Sequence, residues 1–129
     1  MRLLLDTHVL VWAVSASSQL SPSARSLLAD RRNTIHFTPV SILEVAIKRS
    51  SGARGAPAIP SERLAELARA SGFDELLVSS AHTAALETLA VSHPDPFDRL
   101  ILAQTRVEGL RLVTHDEALA SFDDRTILI

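Results

Sequence analysis

The chain has 129 residues, 47% hydrophobic and 22% charged, with a formal net charge of −2 and no cysteine. This is a globular composition, and the length predicts one domain, residues 1–129, large enough for a real core. Disulfides, thiolate metal sites and a cysteine nucleophile are excluded, and so is a strong overall field drawing nucleic acid to the molecule.

Residues 2–5 form a continuous apolar run, suited to a strand buried on both faces. Asp6 ends it, and residues 7–14 read as a helix capped by Asp6 or Thr7. Asp6 and His8 also break the run too early for a signal peptide, and no stretch approaches the ~20 apolar residues of a membrane span. Ser21-Pro22 opens a helix over 22–31, and 34–38 reads as a second strand. Ser41 is expected to cap a helix over 42–49. The Ser-, Gly- and Pro-rich segment 50–60 is a loop. A helix from Ser61 or Glu62 stops near Gly72. A short strand follows at 75–78, then a helix over 80–89 capped by Ser79 or Ser80. Asp95-Pro96 reads as a cap and first residue of a helix ending at Gly109. Residues 111–114 form a strand, 116–122 a helix and 126–129 a fifth strand. Strands alternating with helices imply a parallel sheet covered on both faces, with ligands bound beyond the carboxyl ends of the strands.

Four acids fall at that edge: Asp6, Glu44, Asp98 and Asp116. Each has a plainer reading alone. Asp6 is a helix cap. Ser41-x-x-Glu44 and Thr114-x-x-Glu117 are capping boxes, the second leaving Asp116 a first-turn acid. Asp98 favours a helix dipole. Together the plainer readings weaken, because Glu44 and Asp98 lie on helices apolar enough to be buried, and four converging carboxylates repel. Hard divalent cations, Mg²⁺ or Mn²⁺, are the natural counter-charge, and a bound water would then attack a phosphodiester. Metal also lets a chain of net negative charge hold RNA.

Other residues carry less. Thr7 and Thr114 read first as caps, and second as hydroxyls that would hold a metal-bound water. Arg99 reads first as a carboxylate partner and second as a phosphate contact. Gln104 is either a core amide or a partner of the metal ligands. Lys48, Arg49 and Arg54 are the basic cluster beside the loop, either a solvated helix end or an RNA backbone contact. His8 and His93 lack metal-ligand spacing and read as structural, and Trp12 reads as core.

Four segments in order, Leu-Leu-Leu-Asp-Thr-His from Leu3, Ser-Ile-Leu-Glu-Val-Ala-Ile-Lys from Ser41, His-Pro-Asp-Pro-Phe-Asp-Arg-Leu-Ile-Leu-Ala-Gln from His93 and Leu-Val-Thr-His-Asp from Leu112, resemble PIN-domain ribonucleases. They are most similar to the toxin half of VapBC-type toxin–antitoxin pairs. The Asp-Pro-Phe-Asp-Arg segment is the most specific part. The resemblance implies a three-layer α/β/α sandwich with a mostly parallel five-stranded sheet, and a Mg²⁺- or Mn²⁺-dependent endoribonuclease. Carried over by motif, Asp6, Glu44, Asp98 and Asp116 are its four acids, and Thr114 is the hydroxyl two before the last. It further implies a small antitoxin filling the acidic groove, a homodimer and a cytoplasmic location. The loop at 50–60 is Gly/Ala-rich where relatives are more basic. Two rivals are weaker. A phospho-acceptor or phosphatase domain would want a second Asp where His8 stands, or a late-strand lysine, and Lys48 is the sole lysine. A non-catalytic protein-binding module on the same scaffold would not need four intact acids.

Overall fold

The computed structural model describes residues 1–89 and 92–129. Its elements, in order, are β1 (Arg2–Leu5), α1 (Thr7–Val14), α2 (Pro22–Ala29), β2 (Thr34–Phe37), α3 (Pro39–Ser50), α4 (Ser61–Ala70), β3 (Asp74–Glu75), α5 (Ser80–Ala84), a 3₁₀ turn (Ala85–Glu87), α6 (Pro96–Glu108), β4 (Arg111–Thr114), α7 (Glu117–Ala120) and β5 (Ile127–Leu128). The strands form one sheet in the order β3-β2-β1-β4-β5, and every pairing is parallel.

The apolar run of β1 explains its central place. Leu3, Leu4 and Leu5 are all buried. Successive strand side chains point to opposite faces, so Leu3 and Leu5 join one core with Val9, Leu10, Phe37, Val45 and Leu64. Leu4 joins the other, with Val40, Ile101, Leu102, Leu112 and Leu119. Two cores flanking one sheet make the three-layer α/β/α sandwich. Among the described residues, no helix is long and apolar enough to cross a membrane.

The chain steps from β1 to β2 to β3 in one direction, and β4 then pairs on the other side of β1. The two strands diverge in their connections at this switch point, which opens a crevice beyond their carboxyl ends. The Asp6 N–H donates to the Val113 carbonyl at 3.0 Å, extending the β1–β4 ladder to the rim of that crevice.

Helix α6 forms as its sequence dictates. The Asp95 carboxylate accepts from the backbone N–H groups of Phe97 and Asp98, and Pro96 stands in the first turn. Ile101 through Thr105 are all buried. Gly109 ends the helix at φ 67°, a left-handed conformation that glycine adopts without a Cβ penalty.

Several boundaries differ from expectation. Helix α3 starts earlier, because Thr38 caps it by accepting from the Val40 N–H and Pro39 opens it. Ser41 is therefore a buried first-turn residue, and its capping box with Glu44 does not form. The third strand is Asp74–Glu75 rather than 75–78. Leu76 still donates to the Phe37 carbonyl, at 2.8 Å, but Leu77 turns out to solvent with 67% of its surface exposed. The expected helix 80–89 is α5 followed by the 3₁₀ turn, and its last residue, Leu89, lies outside both. Asp116 caps α7 rather than belonging to it.

Candidate functional site

The four acids come to the crevice on four different elements. Asp6 follows β1 and caps α1, accepting from the Val9 N–H at 3.1 Å. Glu44 is on the second turn of α3, Asp98 on the first turn of α6, and Asp116 stands two residues past β4. Their fields overlap. Asp98 is raised by burial first and then by the negative charges of Asp95, Asp6 and Glu44, which push its carboxyl up to about 7. Asp6 is raised mainly by burial, with Glu44 adding to it. Asp116 goes the other way. Partial burial opposes its ionisation, but donors at Leu119, His93 and Ala118 outweigh that and hold it below the ordinary carboxylate range.

Two threonines wire the acids into the fold. The Thr114 hydroxyl donates to the Asp6 carboxylate and accepts from the Asp116 N–H at 3.0 Å, so one side chain sets two acids. Thr7 hydrogen-bonds Glu44 Oε1 at 2.8 Å and Ser41 Oγ at 3.0 Å. Lys48 Nζ sits 2.6 Å from Glu44 Oε2, one helical turn away. That contact favours the charged ammonium and raises the lysine.

His93, read from the sequence as structural, lies in the middle of this rim. Its Nε2 is 3.3 Å from Asp116 Oδ2 and 3.7 Å from Asp98 Oδ2. With Asp98 and Asp116 it forms a group of side chains close enough to share an ion. The hydrogen bonds argue for a different role. Nδ1 accepts from the Asp95 N–H at 3.2 Å, so the neutral ring carries its proton on Nε2 and presents N–H to the carboxylates. A metal on Nε2 would need the proton on Nδ1, facing another N–H. His93 is therefore a donor to Asp116, with Asp98 beside it at 3.7 Å, beyond hydrogen-bond reach. No spacing rule points to it, since its partners lie five and 23 residues away along the chain.

The remaining residues singled out from the sequence separate. Among the described residues no carboxylate pairs with Arg99, whose buried Nε has no hydrogen-bond partner, so the expected ion pair is absent. Gln104 faces away from the acids. Its Nε2 reaches the Leu76 carbonyl and His82 Nδ1 at 3.4 Å each, which makes it a loosely held core amide. Arg49 grips the loop, donating to the Pro57 and Ala58 carbonyls at 2.8 Å, and Arg54 is exposed on that loop. The basic cluster is thus divided among three tasks.

No arginine neutralises any of the four acids among the described residues. The arginine pairs are with Asp30, Glu66, Glu75 and Asp123, outside the rim. An all-oxygen carboxylate set with hydroxyls behind it fits a hard divalent cation better than a soft one.

A doubly wound parallel sheet with a cluster of acids at its switch point, only Glu44 of them paired with a lysine and none with an arginine among the described residues, defines the class: an α/β protein with an anionic site suited to cations. The PIN domain family model matches residues 3–125, and the chain belongs to that family. No curated protein matches it in sequence. Among solved structures it is similar to VapBC2 from Rickettsia felis bound to a DNA fragment from its promoter, at TM-score 0.67 and 20% identity over 100% of this chain and 98% of the other. A toxin–antitoxin complex from Klebsiella pneumoniae aligns at TM-score 0.63 and 17% identity, covering 96% and 94%. A domain of a functionally unknown protein from Methanocaldococcus jannaschii DSM 2661 aligns at 0.60 and 19%, covering 98% and 87%.

Proposed function

We propose that this chain, residues 1–129 working as one domain, is a Mg²⁺- or Mn²⁺-dependent endoribonuclease and the toxin of a toxin–antitoxin pair. The observation that carries the reading is the meeting of acids from three elements at one rim, where the Thr114 hydroxyl joins Asp6 to Asp116 and His93 Nε2 lies 3.3 Å from Asp116 and 3.7 Å from Asp98, with no arginine paired to any of them among the described residues. Family membership supports nuclease chemistry, and the toxin–antitoxin complexes among its structural neighbours support the partner.

Asp6, Asp98 and Asp116 would hold the cation, with Glu44 completing the set. Bound there, it supplies an acidified water and charge neutralisation at a phosphodiester. Thr114 fixes the relative position of Asp6 and Asp116. Thr7 and Lys48 hold Glu44 from opposite sides. His93 keeps Asp116 oriented. A small antitoxin is proposed to cover the acidic crevice, with the toxin acting as a homodimer in the cytoplasm.

The test is cleavage of a structured RNA in Mg²⁺ or Mn²⁺ by wild type and by Asp98→Asn. Metal-dependent cleavage that Asp98→Asn abolishes, with the circular dichroism spectrum unchanged, supports the reading. Equal activity of the two proteins would defeat it.

A further inference from the structure

Beside the acidic rim, and sharing Thr7 and Glu44 with it, opens a cleft of about 380 Å³. Its walls hold three aromatic rings, His8 and Trp12 one turn apart on α1 and His115 just past β4. Trp12 is half-buried, while His8 and His115 are exposed. The Trp12 and His115 ring centroids are 4.8 Å apart, and His8 lies 6.1 Å from Trp12 and 6.3 Å from His115. The sequence reading placed Trp12 in the core. In the fold it packs against the core and also lines the open cleft. Gln19 and Lys48 stand on the same walls.

We propose that this cleft is a nucleobase subsite that seats the base beside the scissile phosphate of a single-stranded RNA. The proposal rests on the nuclease reading for the position of that phosphate. The connection is built into the start of α1 and the turn after β4. His8 is two residues past Asp6 and His115 immediately precedes Asp116, so the segments that carry the acids also carry the rings. A phosphate at the rim therefore leaves its neighbouring base over the trio.

Aromatic faces suit a base of any identity, because every base has a π-face. Gln19 offers both a donor and an acceptor to a base edge, and Lys48 offers a cation to the next phosphate. The volume lies at the low end of the roughly 300–1,000 Å³ of small-ligand pockets, enough for one nucleoside. A base in a duplex has no free face to offer, so the strand must be single or splayed at that point.

The chain has one tryptophan and no tyrosine, so indole emission reports on this cleft alone. The experiment titrates the full-length protein, in Ca²⁺, which neutralises the acidic rim but acidifies bound water less than Mg²⁺ or Mn²⁺, with a short single-stranded oligoribonucleotide and with the same oligomer made abasic. The expected result is quenching by the base-bearing oligomer and little by the abasic one. Trp12→Ala should weaken binding, read by anisotropy of a labelled oligomer, roughly five- to 150-fold. Trp12→Phe should recover most of the loss, and His115→Ala, which spares the core contact of Trp12, should weaken binding severalfold. Equal quenching by both oligomers, no quenching by either, as expected if a protein segment fills the cleft, or unchanged affinity in both alanine variants would overturn the subsite.

The two readings fail separately. Base-dependent quenching with no RNA cleavage in Mn²⁺ sinks the nuclease and keeps the base site. Cleavage whose KM is unmoved by Trp12→Phe, Trp12→Ala and His115→Ala sinks the base site and keeps the nuclease.

Discussion

Replacing Asp98 by asparagine should stabilise the metal-free protein at pH 8, and by only about a third as much at pH 5. The carboxyl has an ordinary value of 3.8 and sits at about 7 in the fold. Between those values the folded state holds a proton that the unfolded chain has released, so unfolding free energy falls as pH rises. The favourable contribution is complete below about pH 4 and is lost once pH passes 7. A carboxyl sealed from water would account for about 4 kcal/mol across that window. Asp98 keeps 18% of its side-chain surface, and its repelling neighbours face an open crevice, so screening reduces the figure to about 1–2 kcal/mol. For a chain of this length that is about 3–8 °C in Tm. Thermal unfolding in chelator at pH 5 and pH 8 measures it. Adding Mg²⁺ at pH 8 should reverse the order, raising wild type above Asp98→Asn. A variant less stable than wild type at pH 8 without metal, or an equal response of both proteins to Mg²⁺, would refute the reasoning that repulsion at this rim awaits a cation.

Other consequences follow from single contacts. Thr114→Val removes the donor to Asp6 and the acceptor for the Asp116 N–H, and should cost about 1–3 kcal/mol in denaturant unfolding, with Thr114→Ser recovering most of it. Lys48→Met removes the cation 2.6 Å from Glu44 and should tighten Mn²⁺ binding about three- to tenfold by calorimetry, since a competing positive charge has gone. His93→Gln should weaken Mn²⁺ binding only severalfold, because His93 orients Asp116 rather than being a ligand; complete loss of binding would make it one. Gly109→Ala, forced to φ 67°, should lower stability by about 1 kcal/mol without changing metal affinity.

Much of this architecture was legible in the sequence because its signals are local. Leu3 to Leu5 is apolar without alternation, which only a strand covered on both faces tolerates, and Asp95-Pro96 and Gly109 bracket α6 with a cap and a left-handed stop. The misreadings come from competition between equally good local signals. Thr38-Pro39 and Ser41 both offer a helix start, and the hydroxyl of Ser41 is engaged by Thr7, 34 residues away. Leu76-Leu77-Val78 looks like a buried strand, but on that side the ladder of β2 runs through Asp74 and Glu75 and ends at the Leu76 N–H. At the site, the acids could be gathered by the rule that ligands bind beyond strand carboxyl ends. His93, and the approach of His115 to the His8–Trp12 pair, could not, because those neighbours are set by a tertiary fold in which β1 pairs with β4; His8 and Trp12 themselves stand one turn apart on α1.

The most direct measurement is the anomalous scattering of crystals grown with Mn²⁺. The account predicts a peak at the crevice beyond β1 and β4, bonded at about 2.0–2.3 Å to oxygens of Asp6, Asp98 and Asp116. Manganese bound only elsewhere on the surface, with these carboxylates keeping only their protein hydrogen bonds, would contradict it.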